Sequence, residues 1–484
     1  MKKQIFLAVV VYSFLSLLQP LSNFILLPVY TQFFSESDYG TLAVLNNLNV
    51  FLSIIGGLNL VNAIIAFYSS YNDDEELLNK YIGNILSFTF YFNMIFLGVM
   101  CLGGNLFFKL IFKQEISFFP NGLLIIVYGM LSNIITGYLN FMKYKRNLAR
   151  FALISLCLFI LNTVLQYVFI VYLKEGISGT LLARVIAVVI CFILVLFYNF
   201  RYFFAKIEYN RNIKASLMYS TASILSACIN WATNYNDRFF IERFIDLKSL
   251  GIYSLLSTIT SLTEIGYFAL GSALQPFIFE YYKENNTRGV QKLYQIFILL
   301  SVCMVSFIIL FGSNLNLFIQ NPGYLQVVNY LSLMAIGYIF SSLYYLFNLQ
   351  IIYSKKSKYF IYLSLYLLGT SLLLNTALIP KFGIWGAVAG STIAKLLSAF
   401  TIFYFARKSL KLPFEKRNYY MILLFLGVIT GFWLLSRNNI ISYNLSGILQ
   451  FISVIAIVFI LSRKMLFEFY NLVIQKFRKP VSAD

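Results

Sequence analysis

Histidine is missing altogether from this 484-residue chain, and charge is scarce, with Asp, Glu, Lys and Arg together making 11% of it. The first absence removes imidazole from any metal site or acid–base pair. The second excludes a soluble protein, because a globular domain needs about a quarter of its residues charged. Cysteine is sparse as well: Cys101, Cys157, Cys191, Cys228 and Cys303 lie singly in apolar runs, without the paired spacing of a thiol or zinc motif. Paired carboxylates, nucleotide-binding signatures and phosphate loops are lacking, so no ATPase lies within the chain and neither cofactor nor metal is expected. Long loops are lacking too. The largest outer one, around 237–250, has about a dozen residues and no room for a catalytic domain.

What the chain has in abundance is apolar length. It is 60% hydrophobic with a mean hydropathy of +0.78, and a membrane-spanning helix needs about 20 such residues in a row. Runs of that kind lie near 5–32, 40–68, 82–108, 118–142, 151–173, 177–200, 215–236, 250–279, 293–312, 324–352, 359–379, 384–406, 419–436 and 441–462. The expected fold is an all-α polytopic membrane protein of about fourteen transmembrane helices. Met1-Lys-Lys followed by an apolar run looks at first like a signal peptide. No small-residue cleavage site follows it, so an uncleaved first helix is the reading.

The +19 net charge is explained by where the cations fall. With a cytoplasmic N-terminus, 27 of the 37 Lys and Arg residues lie in inner segments and 8 in outer loops, leaving Arg184 and Lys395 inside spans. Positive charge marks cytoplasmic loops, so both termini are expected in the cytoplasm and nucleic acid is not an expected partner. The acidic run Asp73-Asp-Glu-Glu76 reads as a solvated inner loop.

An internal repeat organises the rest. Gly176-Ile-Ser-Gly recurs as Gly383-Ile-Trp-Gly, Leu161-Asn-Thr-Val-Leu165 as Leu374-Asn-Thr-Ala-Leu378, and Tyr39-Gly40-Thr-Leu as Leu250-Gly251-Ile-Tyr. The offsets are 207, 213 and 211 residues. Six helices per half is an even number, so the halves enter the membrane from the same side as parallel repeats. The expected organisation is a lobe at 1–204, a basic linker at 205–214, a second lobe at 215–406 and another basic linker at 407–418. Two additional helices at 419–462 and a cytoplasmic tail at 463–484 complete it.

A charge at the centre of a bilayer costs about 2.5–3.5 kcal/mol on insertion scales and is normally aimed at a cavity or a partner. Arg184 and Lys395 sit in repeat-equivalent helices, and in register Arg184 matches Ser391, one helical turn before Lys395. Both are expected to face a central space between the halves and to line an anion site. The bland alternative is that each neutralises an acid or reaches an interface, with Glu264, the one acid clearly in mid-membrane, as partner. Asp237 and Arg238 follow a polar run containing Asn234 and read equally as a helix end or a cavity wall. Pro20 and Pro28 are expected to bend the first helix and Pro276 the eighth.

Three passages resemble the bacterial polysaccharide (O-antigen, Wzx-type) flippases of the multidrug/oligosaccharidyl-lipid/polysaccharide exporter superfamily. They are Leu27-Pro-Val-Tyr-Thr-Gln-Phe-Phe-Ser-Glu-Ser-Asp-Tyr-Gly40, Asn236-Asp-Arg-Phe-Phe-Ile-Glu-Arg-Phe with Leu250-Gly-Ile-Tyr253, and Ile379-Pro-Lys-Phe-Gly-Ile-Trp-Gly-Ala387. The resemblance covers residues 1 to about 406. It implies a two-lobed bundle in the bacterial cytoplasmic membrane that moves undecaprenyl-diphosphate-linked oligosaccharide to the periplasmic leaflet. It also implies cationic cavity residues, a coupling ion (proton or sodium), and a polysaccharide polymerase and chain-length machinery as partners. Fourteen helices rather than twelve departs from the simplest members.

The expected function is therefore flipping by alternating access without covalent chemistry, with Arg184, Lys395, Arg238, Glu264, Asp237 and Asn234 as substrate-binding residues. A multidrug cation antiporter would favour a buried acid in the first or seventh helix, and the first has none from Ile5 to Phe34. The peptidoglycan lipid flippase resembles this fold but is expected to carry arginines in its first two helices, which are absent here. A membrane polymerase or glycosyltransferase would need a large outer loop.

Overall fold

A computed structural model describes residues 11–12, 15–16, 18, 21–67, 75–113, 116–203, 211–356, 358–410 and 414–478. Pro20, Asp73, Asp74, the 205–210 part of the first linker, 411–413 of the second, and the ends of the chain before 11 and after 478 lie outside the described residues. No strand occurs among the described residues. The helices are α1 (Leu27–Phe33), α2 (Glu36–Gly56), α3 (Leu60–Phe67), α4 (Glu75–Ile111), α5 (Leu123–Tyr144), α6 (Leu148–Tyr167), α7 (Gly176–Phe203) and α8 (Arg211–Phe244). They continue with α9 (Leu247–Lys283), α10 (Thr287–Ser313), α11 (Val327–Tyr353), α12 (Lys358–Phe382), α13 (Ile384–Ser409), α14 (Lys416–Arg437) and α15 (Tyr443–Arg478). Eleven described helical stretches are long and apolar enough to cross a membrane. In lipid the backbone must satisfy its own hydrogen bonds, and a helix does so within one segment.

Local chemistry sets several of the boundaries. Ser35 and Asp38 form a reciprocal cap at the start of α2, each side chain accepting the other's backbone N–H at 3.1 Å. Pro28 stands in the first turn of α1, after a turn at Leu26, where its missing N–H costs nothing. Pro276, by contrast, lies inside the continuous α9. The second span is not one helix as its apolar run suggests. It breaks at Gly57–Asn59, where Leu58 and Asn59 take the left-handed φ values 46° and 49°. The break is satisfied from neighbouring helices: Asn133 donates to the Ser53 carbonyl at 2.6 Å and Asn59 to Ser223 at 3.1 Å. Gly176 and Gly383, which open the repeated Gly-Ile-x-Gly runs, share φ values of 60° and 58°, a region that side chains enter at a cost of about 1–2 kcal/mol.

The chain divides into two compact units, Met1–Gly251 and Ile252–Asp484. The first packs Ile64, Ile82, Ile85, Ile134, Ile135, Ile154, Val188 and Val195 into a continuous apolar core. Trp231 on α8 fastens that helix to α2 by donating to the Asn47 carbonyl at 2.9 Å. At the end of this unit Gly40 and Gly251 pass backbone to backbone. A Cβ on Gly40 would lie 2.0 Å from the Leu247 carbonyl oxygen, and one on Gly251 would lie 1.9 Å from that of Glu36. Small residues at such crossings are how membrane helices approach closely.

The second unit is built on α10 and α11, with Phe297, Val302, Val305, Met334, Ala335 and Leu346 fully or nearly buried. Helices α14 and α15 dock on these through polar contacts. Asn418 donates to Gln291 at 3.0 Å and Gln450 to Ser306 at 3.1 Å.

Because the atoms facing Gly40 are backbone and cannot rotate away, Gly40→Val is expected to destabilise the protein by about 3 kcal/mol, the upper part of the range for overpacking. The check is the thermal midpoint of the purified protein in detergent. Gly98→Ala, where nothing lies within 4 Å of the added carbon, should not lower it, since Ala also favours the helix over Gly.

Candidate functional site

Arg184 projects from α7 into the first unit and is 5% exposed. Its guanidinium is met by three neutral oxygens. Nη1 donates to Asn46 Oδ1 at 2.6 Å, Nε to Gln166 Oε1 at 3.0 Å and Nη2 to the Tyr30 hydroxyl at 3.3 Å. Tyr30 in turn donates to Gln166 at 2.6 Å, and Gln166 anchors itself on the Asn162 carbonyl at 2.9 Å. Helices α1, α2 and α6 thus each give one partner. A buried ion loses several kcal/mol of hydration, and these hydrogen bonds recover part of it without cancelling the charge. Every hydrogen bond Arg184 makes here goes to an uncharged group, so the positive charge persists inside the bundle. The half-buried Asn46 is the more open of the three partners.

Lys395 occupies the second unit on different terms. Its methylenes cross Gly337 of α11, and its ammonium lies 3.5 Å from the centre of the Tyr338 ring. A cation over an aromatic face is held by the ring's quadrupole, by about 0.5–2 kcal/mol depending on desolvation. Glu264 of α9 is close enough for a Coulombic attraction to Lys395, and both side chains are half-buried. The expected acid is therefore within electrostatic range of Lys395, inside its own unit.

Asp237 and Arg238 do not end their helix. α8 runs on to Phe244, and the pair lies within it, with side chains only 15% and 14% exposed and joined at 3.2 Å. Arg238 also donates to the Asn234 carbonyl at 3.2 Å and lies over Tyr235. Charges that read as a surface are satisfied by one another, while Phe239, Phe240 and Ile241 continue the apolar pattern beyond them. The Asn234 side chain is exposed. Farther along, buried Glu242 accepts the Lys113 backbone N–H at 2.9 Å. The structure thus joins Asp237 with Arg238, sets Glu264 within electrostatic range of Lys395, and gives Arg184 its own neutral cage. Reading the sequence for charge missed Tyr30, Asn46, Gln166 and Tyr338. A usable signal existed for two of these: Tyr30 lies within the Leu27–Gly40 passage, and Gln166 directly follows the repeated Leu161–Leu165 run.

Comparison with known proteins adds the family. Residues 7–282, more than half of the chain, match the family described as polysaccharide biosynthesis protein. The chain belongs to that family. Its relatives include the capsular polysaccharide biosynthesis protein CapF of Staphylococcus aureus, 23% identical over 407 residues, covering 81% of this chain and 97% of that protein. The fold is similar to that of the lipid II flippase MurJ in an inward closed conformation, with a TM-score of 0.70, 13% identity, and 94% and 100% of the two chains covered. It is similar as well to the MATE transporter VcmN of Vibrio cholerae, with a TM-score of 0.60, 15% identity, and 84% and 97% covered. This member of the polysaccharide biosynthesis family is thus a multi-pass membrane protein with a fold shared by MurJ and MATE transporters.

The neutral cage yields a direct expectation. Gln166→Leu removes an acceptor from both Arg184 and Tyr30 and should lower the thermal midpoint markedly, but lower it less once Arg184→Met has removed the cation and only the Tyr30 hydrogen bond is left to lose. The expected coupling is about 1.5–3 kcal/mol, as for hydrogen bonds to charged groups. Additive shifts in the double variant would show that the cage does not hold the arginine.

Proposed function

We propose that this protein carries an anionic, lipid-linked oligosaccharide from the cytoplasmic to the outer leaflet of a bacterial cytoplasmic membrane. The observation that carries the reading is the pair of mid-span cations, Arg184 and Lys395, on repeat-equivalent helices of a polysaccharide biosynthesis family member. Positive charge kept inside a membrane protein is expensive and is retained where an anion must enter. A polyprenyl diphosphate has the required charge, and its tail remains in lipid while the headgroup moves. The distribution of Lys and Arg supports a cytoplasmic position for both termini.

The roles follow from the surroundings. Arg184, caged by neutral oxygens, offers an undiminished charge and a rigid fork suited to phosphate oxygens. Lys395 offers a point charge on a flexible stem, with Glu264 near enough to compete with the substrate and so assist its release. Arg238, steadied by Asp237, and the exposed Asn234 serve the glycan. Attraction in a partly desolvated site exceeds that in water, so release needs such a competitor or entering water. Transport is by alternating access, driven by a proton or sodium gradient, and supplies a polymerase on the far side. The glycan is a capsular or O-antigen repeat unit, and the relationship to the S. aureus capsular protein favours the capsular kind.

A second reading, multidrug cation export, rests on fold alone, through the likeness to a multidrug resistance MATE family transporter. It calls for an available buried acid. The first span has none, and in α8 Asp237 is engaged by Arg238 while buried Glu242 is engaged by the Lys113 backbone N–H.

The test is complementation of a strain lacking the gene. Arg184→Gln and Lys395→Gln should each lower surface glycan by about tenfold, the effect of removing one charge-assisted hydrogen bond. The double variant should abolish it while the protein remains inserted, and lipid-linked glycan should accumulate on the cytoplasmic face. Wild-type export by the inserted double variant would sink the reading.

A further inference from the structure

At one end of the second unit, Arg437 closes α14 and lies over two indoles, 4.8 Å from the centre of Trp385 on α13 and 5.2 Å from that of Trp433 on its own helix. Two of the three tryptophans in the chain meet here, 6.2 Å apart. Tyr330 of α11 backs Trp385 at 4.7 Å, and Trp433 donates to the Asn329 carbonyl at 3.5 Å. Three helices thus fix the platform. Arg437 itself is exposed, and it makes no hydrogen bond or ion pair with any described residue.

Among its described residues the second unit provides no acid at this end to neutralise that charge. From Asn285 to Phe467 the sequence contains a single acid, Glu415, which accepts from Gln295 near the opposite, lysine-rich end of the unit. The other cation at this end, Lys381, adds to the excess and is exposed. The carboxyl end of α14 contributes only partial negative charge. A guanidinium stacked on rings keeps its edge of N–H donors available, and that edge matches the spacing of phosphate oxygens. Trp and Tyr at the end of a span mark the level of lipid headgroups, so a phosphate held there is that of a lipid. The contrast with Arg238, which has Asp237 at 3.2 Å, is direct.

We propose that Arg437, held on Trp385 and Trp433, binds the phosphate of an anionic lipid at the outer end of the second unit. The last two helices then have a definite task, since α14 carries both Arg437 and half of its platform. The inference goes beyond the export reading and does not depend on which glycan is carried.

The tryptophans themselves report on the site. In a Trp231→Phe background, the full-length protein is reconstituted in phosphatidylcholine bilayers with brominated phosphatidylglycerol or brominated phosphatidylcholine at equal mole fraction. The phosphatidylglycerol preference, read from quenching, should be about fivefold, the gain for one cation at an anionic surface. It should fall to near one in Arg437→Gln and, in the parent, in 1 M salt. Displacement by unlabelled undecaprenyl phosphate at lower mole fraction than by unlabelled phosphatidylglycerol would identify the carrier lipid as occupant. Equal displacement would identify bulk anionic lipid, and both support the site. Equal quenching by the two brominated lipids, or a preference that survives Arg437→Gln, overturns it. The vesicles contain no glycan, so this outcome is independent of the export test.

Discussion

A cation buried among membrane helices must either meet an acid or be hydrogen-bonded by neutral groups that leave its charge in place. Arg184 takes the second course, and much of the first unit follows from that. Tyr30, Asn46 and Gln166 come from three helices separated by long stretches of chain, and each must arrive with its oxygen aimed at the guanidinium. The position of α7 relative to α1, α2 and α6 is therefore tied to one side chain. Replacing the cage with a carboxylate would hold the helices equally well but would cancel the charge. That the chain uses amides and a phenol is the chemical basis for reading the arginine as a receptor for an anion.

The second unit handles its cation differently. Lys395 rests on an aromatic ring and has an acid within Coulombic reach, so its ammonium has both a neutral and a charged group to interact with. A carrier needs both kinds of site, one that keeps its charge and one whose charge can be offset when the cargo leaves. At the end of the same unit Arg437 repeats the aromatic solution without the acid. The three cations form a series of decreasing enclosure: buried but 5% exposed at Arg184, half-buried at Lys395, exposed at Arg437.

Much of the fold was legible because hydropathy in a bilayer is a strong constraint: length and apolarity alone located the long helices, eleven of which among the described residues are long and apolar enough to cross a membrane. The break at Gly57–Asn59 was not legible. Gly56-Gly57-Leu58 reads as part of an apolar run, and the amides that satisfy the break, such as Asn133, lie far along the chain. Asp237 and Arg238 stayed open between a helix end and a cavity wall, since adjacent charges look like a surface even when they neutralise each other inside a helix. The candidate cations stood out because a charge in an apolar run is rare. Their neutral partners did not, because Tyr, Asn and Gln are common in this chain and become informative only when three of them converge on one group. Gly40 and Gly251 were visible as repeat equivalents, but that their backbones meet emerges only in the folded chain.

The central claim is movement of an anionic lipid-linked saccharide across the bilayer, and reconstitution tests it most directly. Purified protein is placed in vesicles containing a polyprenyl-diphosphate-linked saccharide with a fluorescent label on the sugar, and a membrane-impermeant reductant is added outside. Protein-free vesicles should lose only the fluorescence of the outer leaflet, whereas vesicles holding this protein should lose nearly all of it as inner-leaflet lipid is delivered outward. A plateau at the outer-leaflet fraction in both, with the protein correctly folded and the required ion gradient imposed, would contradict the account.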